Sequence, residues 1–256
     1  MECHDQTFIM QNFIYVMNED RNRDQIMRYH IDRSDQKKSH AWLGTWIVRE
    51  HKDGLTTTED GLNLSRRISD LKRKIQKRPV SMFTVCLVYD EHLVHYVAFL
   101  YVSKERRLIS FDPGVQIYLH GQKTIVPRIE KYFMSEDLID SDVRLGHCHQ
   151  FRWKGKRMGV QYTGLEDRPD AFCQTWTIFF LVRFLYSKSH RVDDIHRFVR
   201  EWCKILPKNR AVMLTEQFII PTLMYFPRVL KDLKTMTDHE DQTVLMNKIM
   251  TCKSRV

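Results

Sequence analysis

Residues 170–186 read Asp170-Ala171-Phe172-Cys173-Gln174-Thr175-Trp176-Thr177-Ile178-Phe179-Phe180-Leu181-Val182-Arg183-Phe184-Leu185-Tyr186. After Asp170 only Arg183 is charged, and Trp176, Ile178, Phe179, Phe180, Leu181, Val182, Phe184 and Leu185 fall on every side of a 3.6-residue period. A helix that is apolar all round belongs inside a domain. The spacing predicts a central helix over about 171–186, with Asp170 as its N-cap. Cys173 stands in the first turn of that helix. Backbone N–H groups there lack intrahelical partners and the helix dipole is positive, which favours thiolate over thiol and makes Cys173 the leading nucleophile candidate. Taken alone, a cysteine heading an apolar helix is more often a small buried hydrophobe, so the partners decide.

Upstream the period changes to that of strands. Met82 to Tyr89 and Val94 to Val102 are short runs rich in β-branched and aromatic residues, and after the turn Ser103-Lys104-Glu105-Arg106 a third run, Leu108 to Phe111, ends at Asp112-Pro113-Gly114. These make a meander. With the turn centred near Ser103-Lys104, His95 falls directly opposite Asp112 on one side of the hairpin, a general base beside a carboxylate that orients it. Before the meander, Leu64, Ile68, Leu71 and Ile75 predict an amphipathic helix over 62–78, stopped at Pro79. After it come a helix near 126–139 and a strand from Val143 that extends through His147-Cys148-His149. A polar stretch over 162–169 leads into the central helix. Further helices follow at about 192–205, 210–232 with an interruption at Pro221, and 240–252. A central helix packed on a mixed β-sheet is an α+β fold. Residues 1–60 show no sustained period and read as a partly helical N-terminal extension to a domain over 61–256.

The order His95, Asp112, Gln161, Cys173, with Tyr96 after the histidine, Phe111 before the acid and Trp176-Thr177 after the cysteine, resembles the adenovirus-type maturation proteases and the ubiquitin-like-protein-specific proteases. These form one clan of papain-like cysteine peptidases. The resemblance covers roughly residues 80–190. It is stronger to the branch from large DNA viruses, since the cellular enzymes usually carry Gly after the nucleophile and Trp after the histidine, where Gln174 and Tyr96 stand here. It implies the adenovirus-protease type of papain-like fold, with Cys173 as nucleophile, His95 as general base, Asp112 as orienter and Gln161 as side-chain donor to the oxyanion, Gln150 being the alternative donor. It also implies a protein substrate cut after small residues, either a viral precursor or a ubiquitin-like conjugate, and no cofactor. Related bacterial effectors use the same three groups to transfer an acetyl group, so an acyltransferase is the competing enzyme.

At 256 residues with 43% hydrophobic content the chain can bury a substantial core, and no uncharged apolar run of 18 residues is present, so no membrane span is expected. The expected location is intracellular and soluble, in host cytoplasm or a virion for a viral member. Six cysteines lack C-x-x-C pairing or regular spacing and read as reduced thiols. His147-Cys148-His149 is not a metal site by itself, because neighbours on a strand face opposite ways and two further ligands are missing. The net charge of +9, with basic runs at Arg66-Arg67, Lys72-Arg73-Lys74, Lys77-Arg78 and Arg152 to Arg157, reads first as a solvated face and second as a nucleic-acid contact. An inactive nucleic-acid-binding or scaffold protein is therefore the competitor from outside the enzymes.

Overall fold

In the computed structural model the strand-rich run forms the middle of a six-stranded sheet. The structure describes residues 13, 16–17, 19–50, 56–58, 68–69, 71–72, 78–88, 94–114, 125–153, 156–162, 172–187 and 191–235. The sheet comprises β1 (His40–Glu50), β2 (Thr56–Thr58), β3 (Val80–Val88), β4 (Val94–Val102), β5 (Arg107–Phe111) and β6 (Ser141–Leu145), in the order β2-β1-β3-β4-β5-β6. The meander β3-β4-β5 is antiparallel, as the alternation of strand and turn requires, whereas β1 pairs with β3 and β6 with β5 in parallel. The sheet is therefore mixed. β3 is buried on both faces over its first eight residues, which explains why its sequence is a continuous apolar run and not an alternating one.

Helices cover both faces. On one side lie α1 (Asp20–Arg33), α3 (Cys173–Leu185) and α4 (Val192–Lys204), and on the other lies α2 (Ile125–Ser135). The chain continues through α5 (Pro207–Leu214), a π-helical turn over 215–219, α6 (Ile220–Tyr225) and α7 (Pro227–Thr235). Successive residues of β4 feed both layers: Ala98 and Leu100 join the core under α3, while Val97, Phe99 and Tyr101 join the core under α2. Phe180 of α3 stacks on Phe111 of β5 with ring centroids 4.4 Å apart, and Phe83 is stacked between Trp46 at 4.2 Å and Phe99 at 5.1 Å. The predicted α+β fold with a buried central helix is the one observed.

Several local expectations change. Asp112 continues β5 and, by the β4–β5 register of Ala98 opposite Phe111, faces Val97, so His95 is its diagonal neighbour on the same face and does not lie directly opposite. The cause is the turn, a 3₁₀ segment over 103–105 followed by Arg106 in the left-handed region at φ 47°, which shifts the centre beyond Ser103-Lys104. The strand expected to run on through His147 breaks at Gly146, φ 121°; β7 (His147–Trp153) instead pairs with β8 (Lys156–Gly159) in a separate two-stranded sheet. The central helix begins at Cys173 with Phe172 at the cap, two residues later than predicted, and Asp170 lies outside the described residues. Cys148 and Cys203 are not reduced thiols but a disulfide, with Cα atoms 4.9 Å apart, because packing of α4 against β7 brings together two cysteines 55 positions apart.

The interruption in the last helices lies at residues 215–219 and at Phe226, with Pro221 tolerated in the first turn of α6. Of the helix expected over 62–78, Ile68, Ser69, Leu71 and Lys72 are in helical conformation with Ile68 and Leu71 buried, and Arg78 is described but not helical. The segment 240–252 lies outside the described residues, as do most of the basic runs, although Lys72 is ion-paired to Glu136 at 3.1 Å. Among the described residues no helix is long and apolar enough to cross a membrane.

Candidate active site

The start of β4, the loop after β5, the turn after β8 and the first residue of α3 converge on one locus. His95 lies near the start of β4, where its ring is buried, and its Nε2 is 2.8 Å from Asp112 Oδ1. The same carboxylate oxygen accepts the Gly114 backbone N–H at 3.0 Å, so the Asp-Pro-Gly sequence closes a turn around the acid and holds it in place. With Nε2 occupied, Nδ1 is the ring nitrogen left for another partner. The Cys173 sulfur is near enough to the ring to be among the groups that raise its pKa. Burial pushes the imidazole down as the largest single influence, but the charge and hydrogen bond of Asp112, together with the Cys173 sulfur, outweigh it and hold His95 up at about 10. The fold therefore favours the protonated ring.

Cys173, the first residue of α3, is 4% exposed and packs with Cys86 and Tyr96. Its thiol also lies 3.7 Å from the side-chain oxygen of Gln174, the residue whose bulk in this position distinguishes the sequence from those with glycine there. Its backbone N–H sits in the first turn, where a helix has no internal acceptor to offer. Cys86, the other free cysteine among the described residues, is a different case: burial pushes its thiol up to about 11, against a weaker opposing hydrogen bond from Tyr96.

Gln161 is buried in the turn after β8, with its backbone N–H donated to the Pro113 carbonyl at 3.0 Å. A Cβ placed on Gly114 would stand 2.8 Å from Gln161 Oε1 and 3.0 Å from His95 Cε1. The amide and the imidazole therefore flank one point, and a side chain there displaces one or both of them. Gln161 Oε1 is buried with no hydrogen-bond partner among the described residues. Gln150 lies in β7, its side chain outside the described residues. The four residues singled out in the sequence thus meet at one locus, two of them through Gly114.

Sequence reasoning missed the residues that seat these four. Gly146 is required because a Cβ there would lie 1.9 Å from the Asp112 carbonyl oxygen, and Asp112 N–H bonds to Leu145 O at 3.1 Å; the acid is thereby pressed against the end of β6. Arg23 of α1, 1% exposed, places its guanidinium 5.2 Å from the centroid of Tyr96, next to His95, and donates to Thr45 Oγ1 at 3.1 Å, to the Met17 carbonyl and to Asp20. A glycine in a turn and an arginine in a charged segment carry no periodic signal that marks them in advance.

No protein-family model matches the chain, and no curated protein does. Solved structures similar to the chain include the SUMO protease Ulp1 with its catalytic cysteine oxidised to a sulfinic acid, at 12% identity over 75% of this chain and 78% of that one, TM-score 0.37. The Legionella pneumophila effector RavZ matches at 14% identity over 75% and 59%, TM-score 0.32. AvrA with IP6 and CoA matches at 11% identity over 91% and 80%, TM-score 0.37. Likenesses of this size assign no function, which has to come from the chemistry of the site.

Proposed function

We propose that this chain is a cysteine peptidase acting on a protein substrate. The observation that carries the reading is the Asp112–His95 hydrogen bond, set within electrostatic reach of the Cys173 sulfur at the start of a helix. In the proposed reaction the Cys173 thiolate bonds to the carbonyl carbon of the scissile amide or isopeptide, and the carbonyl π pair moves onto oxygen. The oxyanion receives the Cys173 backbone N–H and the Gln161 side-chain amide, a term of about 2.7–4 kcal/mol per donor. Collapse re-forms the carbonyl and breaks the C–N bond. The His95 imidazolium gives its proton to the departing amine, and the neutral ring then takes a proton from the water that cleaves the thioester.

Small residues before the cut, and a substrate that is either a viral precursor or a ubiquitin-like conjugate, follow from the resemblance of the motif. Transfer of an acyl group to a protein hydroxyl or amine uses the same contacts with a different acceptor, and dependence on an acetyl donor identifies it. The test is the rate of Cys173 alkylation by iodoacetamide, with Cys173→Ser as the blank. Labelling at pH 7 that is much faster than that of Cys86, and that falls at least about tenfold in His95→Ala, is the expected result. Labelling at the pace of an ordinary buried thiol, indifferent to His95, removes the peptidase and the acyltransferase together and leaves the scaffold reading.

A further inference from the structure

An oxyanion donor acts only if its amide is held within a fraction of an ångström before the substrate arrives. The Gln161 side chain is not held that way by its own bonds, since Oε1 has no partner among the described residues. Its position depends on the backbone that carries it. That backbone is gripped from the far side by a residue of the C-terminal helices. Arg210 of α5 is completely buried, and its Nη1 faces the carbonyls of Gly159, Val160 and Tyr162 at 3.3, 3.5 and 3.0 Å. These are two residues before Gln161 and the one after it. The other arms of the guanidinium reach Ile205 O at 3.1 Å from Nε and Cys203 O at 3.2 Å from Nη2.

The anchor at the other end is stiff, because Cys203 is bonded to Cys148 of β7, the strand paired with β8. One planar fork therefore ties the turn bearing Gln161 to the end of α4. Burying a guanidinium is costly, and here burial pushes Arg210 down to about 10, still charged at neutral pH and offset by five backbone carbonyls. A stability role alone is met more cheaply by an apolar side chain of similar volume. Convergence of three carbonyls on one nitrogen instead bends residues 159–162 tightly around the guanidinium.

We propose that Arg210 is a positioning residue for the oxyanion donor: by clamping the carbonyls on both sides of Gln161 it sets that amide beside Gly114 and His95, without itself touching substrate. The inference rests on the acyl-transfer reading of the site and assigns a role to a helix outside the four motif residues.

Two probes separate the nucleophile from the oxyanion site. Iodoacetamide reports Cys173 reactivity without forming an oxyanion, whereas acetyl-glycyl-glycinal forms a hemithioacetal whose oxygen needs the Gln161 donor. Arg210→Lys keeps the charge but loses the fork. The expected result is an aldehyde affinity at least about tenfold weaker, an iodoacetamide rate within about twofold of the wild type, and no further loss when Arg210→Lys is added to Gln161→Ala. Equal effects on both probes, or additive effects in the Gln161→Ala background, overturn the clamp. So does a wild type that alkylates quickly yet does not bind the aldehyde. If Arg210→Lys does not fold, Arg210→Gln carries the same comparison, and failure of both to fold makes Arg210 a core residue and nothing more. Slow wild-type alkylation that is indifferent to His95 overturns the acyl-transfer reading itself, a result distinct from fast alkylation with an aldehyde affinity insensitive to Arg210.

Discussion

His95 gathers the electrostatics of the site into one side chain. Its ring in the unfolded chain titrates near the ordinary value of about 6.5, and in the fold it is raised to about 10, with burial opposing and Asp112 and Cys173 prevailing. A folded value above the unfolded one means that the native state holds the proton more tightly. The stabilisation is complete below about pH 6.5 and is lost as pH climbs through about 10. The melting temperature of the wild type should therefore fall relative to that of His95→Gln between these limits, and calorimetry showing the opposite trend would mean that His95 is not a buried cation. Gly114 gives the second residue-scale prediction. In Gly114→Ala the new methyl meets the flexible end of Gln161 and the edge of the His95 ring, so the fold should survive with a melting temperature within a few degrees. Displacements of about 1 Å at reacting groups cost on the order of 10²-fold; kcat/KM of this variant, measured on any substrate found for the wild type, should drop by one to two orders of magnitude. The four motif residues were readable because each side chain is a reactive type in a recognisable order. Gly114 and Gly146 were not, because the need for glycine arises from atoms distant in sequence: Gln161 and His95 for one, Asp112 for the other.

At the scale of elements, the central helix and the meander were legible from composition and period, and their ends were not. α3 begins at Cys173 and places the sulfur in its first turn, a matter of two residues that no propensity resolves. The break between β6 and β7 has the same origin in one glycine. Pairing of Cys148 with Cys203 joins β7 to α4, and a cross-link closing a loop of this length stabilises by roughly 2–4 kcal/mol. Cys148→Ser should lose stability of that order in oxidising buffer and match the wild type in reductant, as followed by urea unfolding. Alkylation of the unreduced, denatured chain followed by mass spectrometry should leave Cys148 and Cys203 unlabelled. Finding both labelled would show that they are thiols in the protein as isolated.

For the molecule as a whole, residues 20–50 supply a helix packed on the core and β1, which pairs with β3 inside the sheet. β1 runs parallel to β3 from His40 opposite Val80 to Arg49 opposite Val88, and Trp46 stacks on Phe83. A chain starting at residue 61 would expose the inner edge of β3, together with the apolar surfaces under α1. It is expected to be insoluble or without cooperative unfolding by circular dichroism; a folded and soluble fragment with altered activity would instead make the first 60 residues regulatory. Hydrophobic periodicity gave no warning of this arrangement because the buried face of α1 includes Asn22 and Arg23. The sequence by itself determined the elements whose burial is written in apolar period: the all-apolar helix and the three strands, with the candidate site residues at their ends. Only the tertiary structure decided that β1 enters between β2 and β3, that Cys148 meets Cys203, that Gly114 and Gly146 pack against His95, Gln161 and Asp112, and that Arg210 grips the turn bearing Gln161. Local patterns record what a residue does to its own helix or strand. Close approach, chain reversal and buried charge are settled by partners distant in sequence, whose positions exist only once the chain has folded.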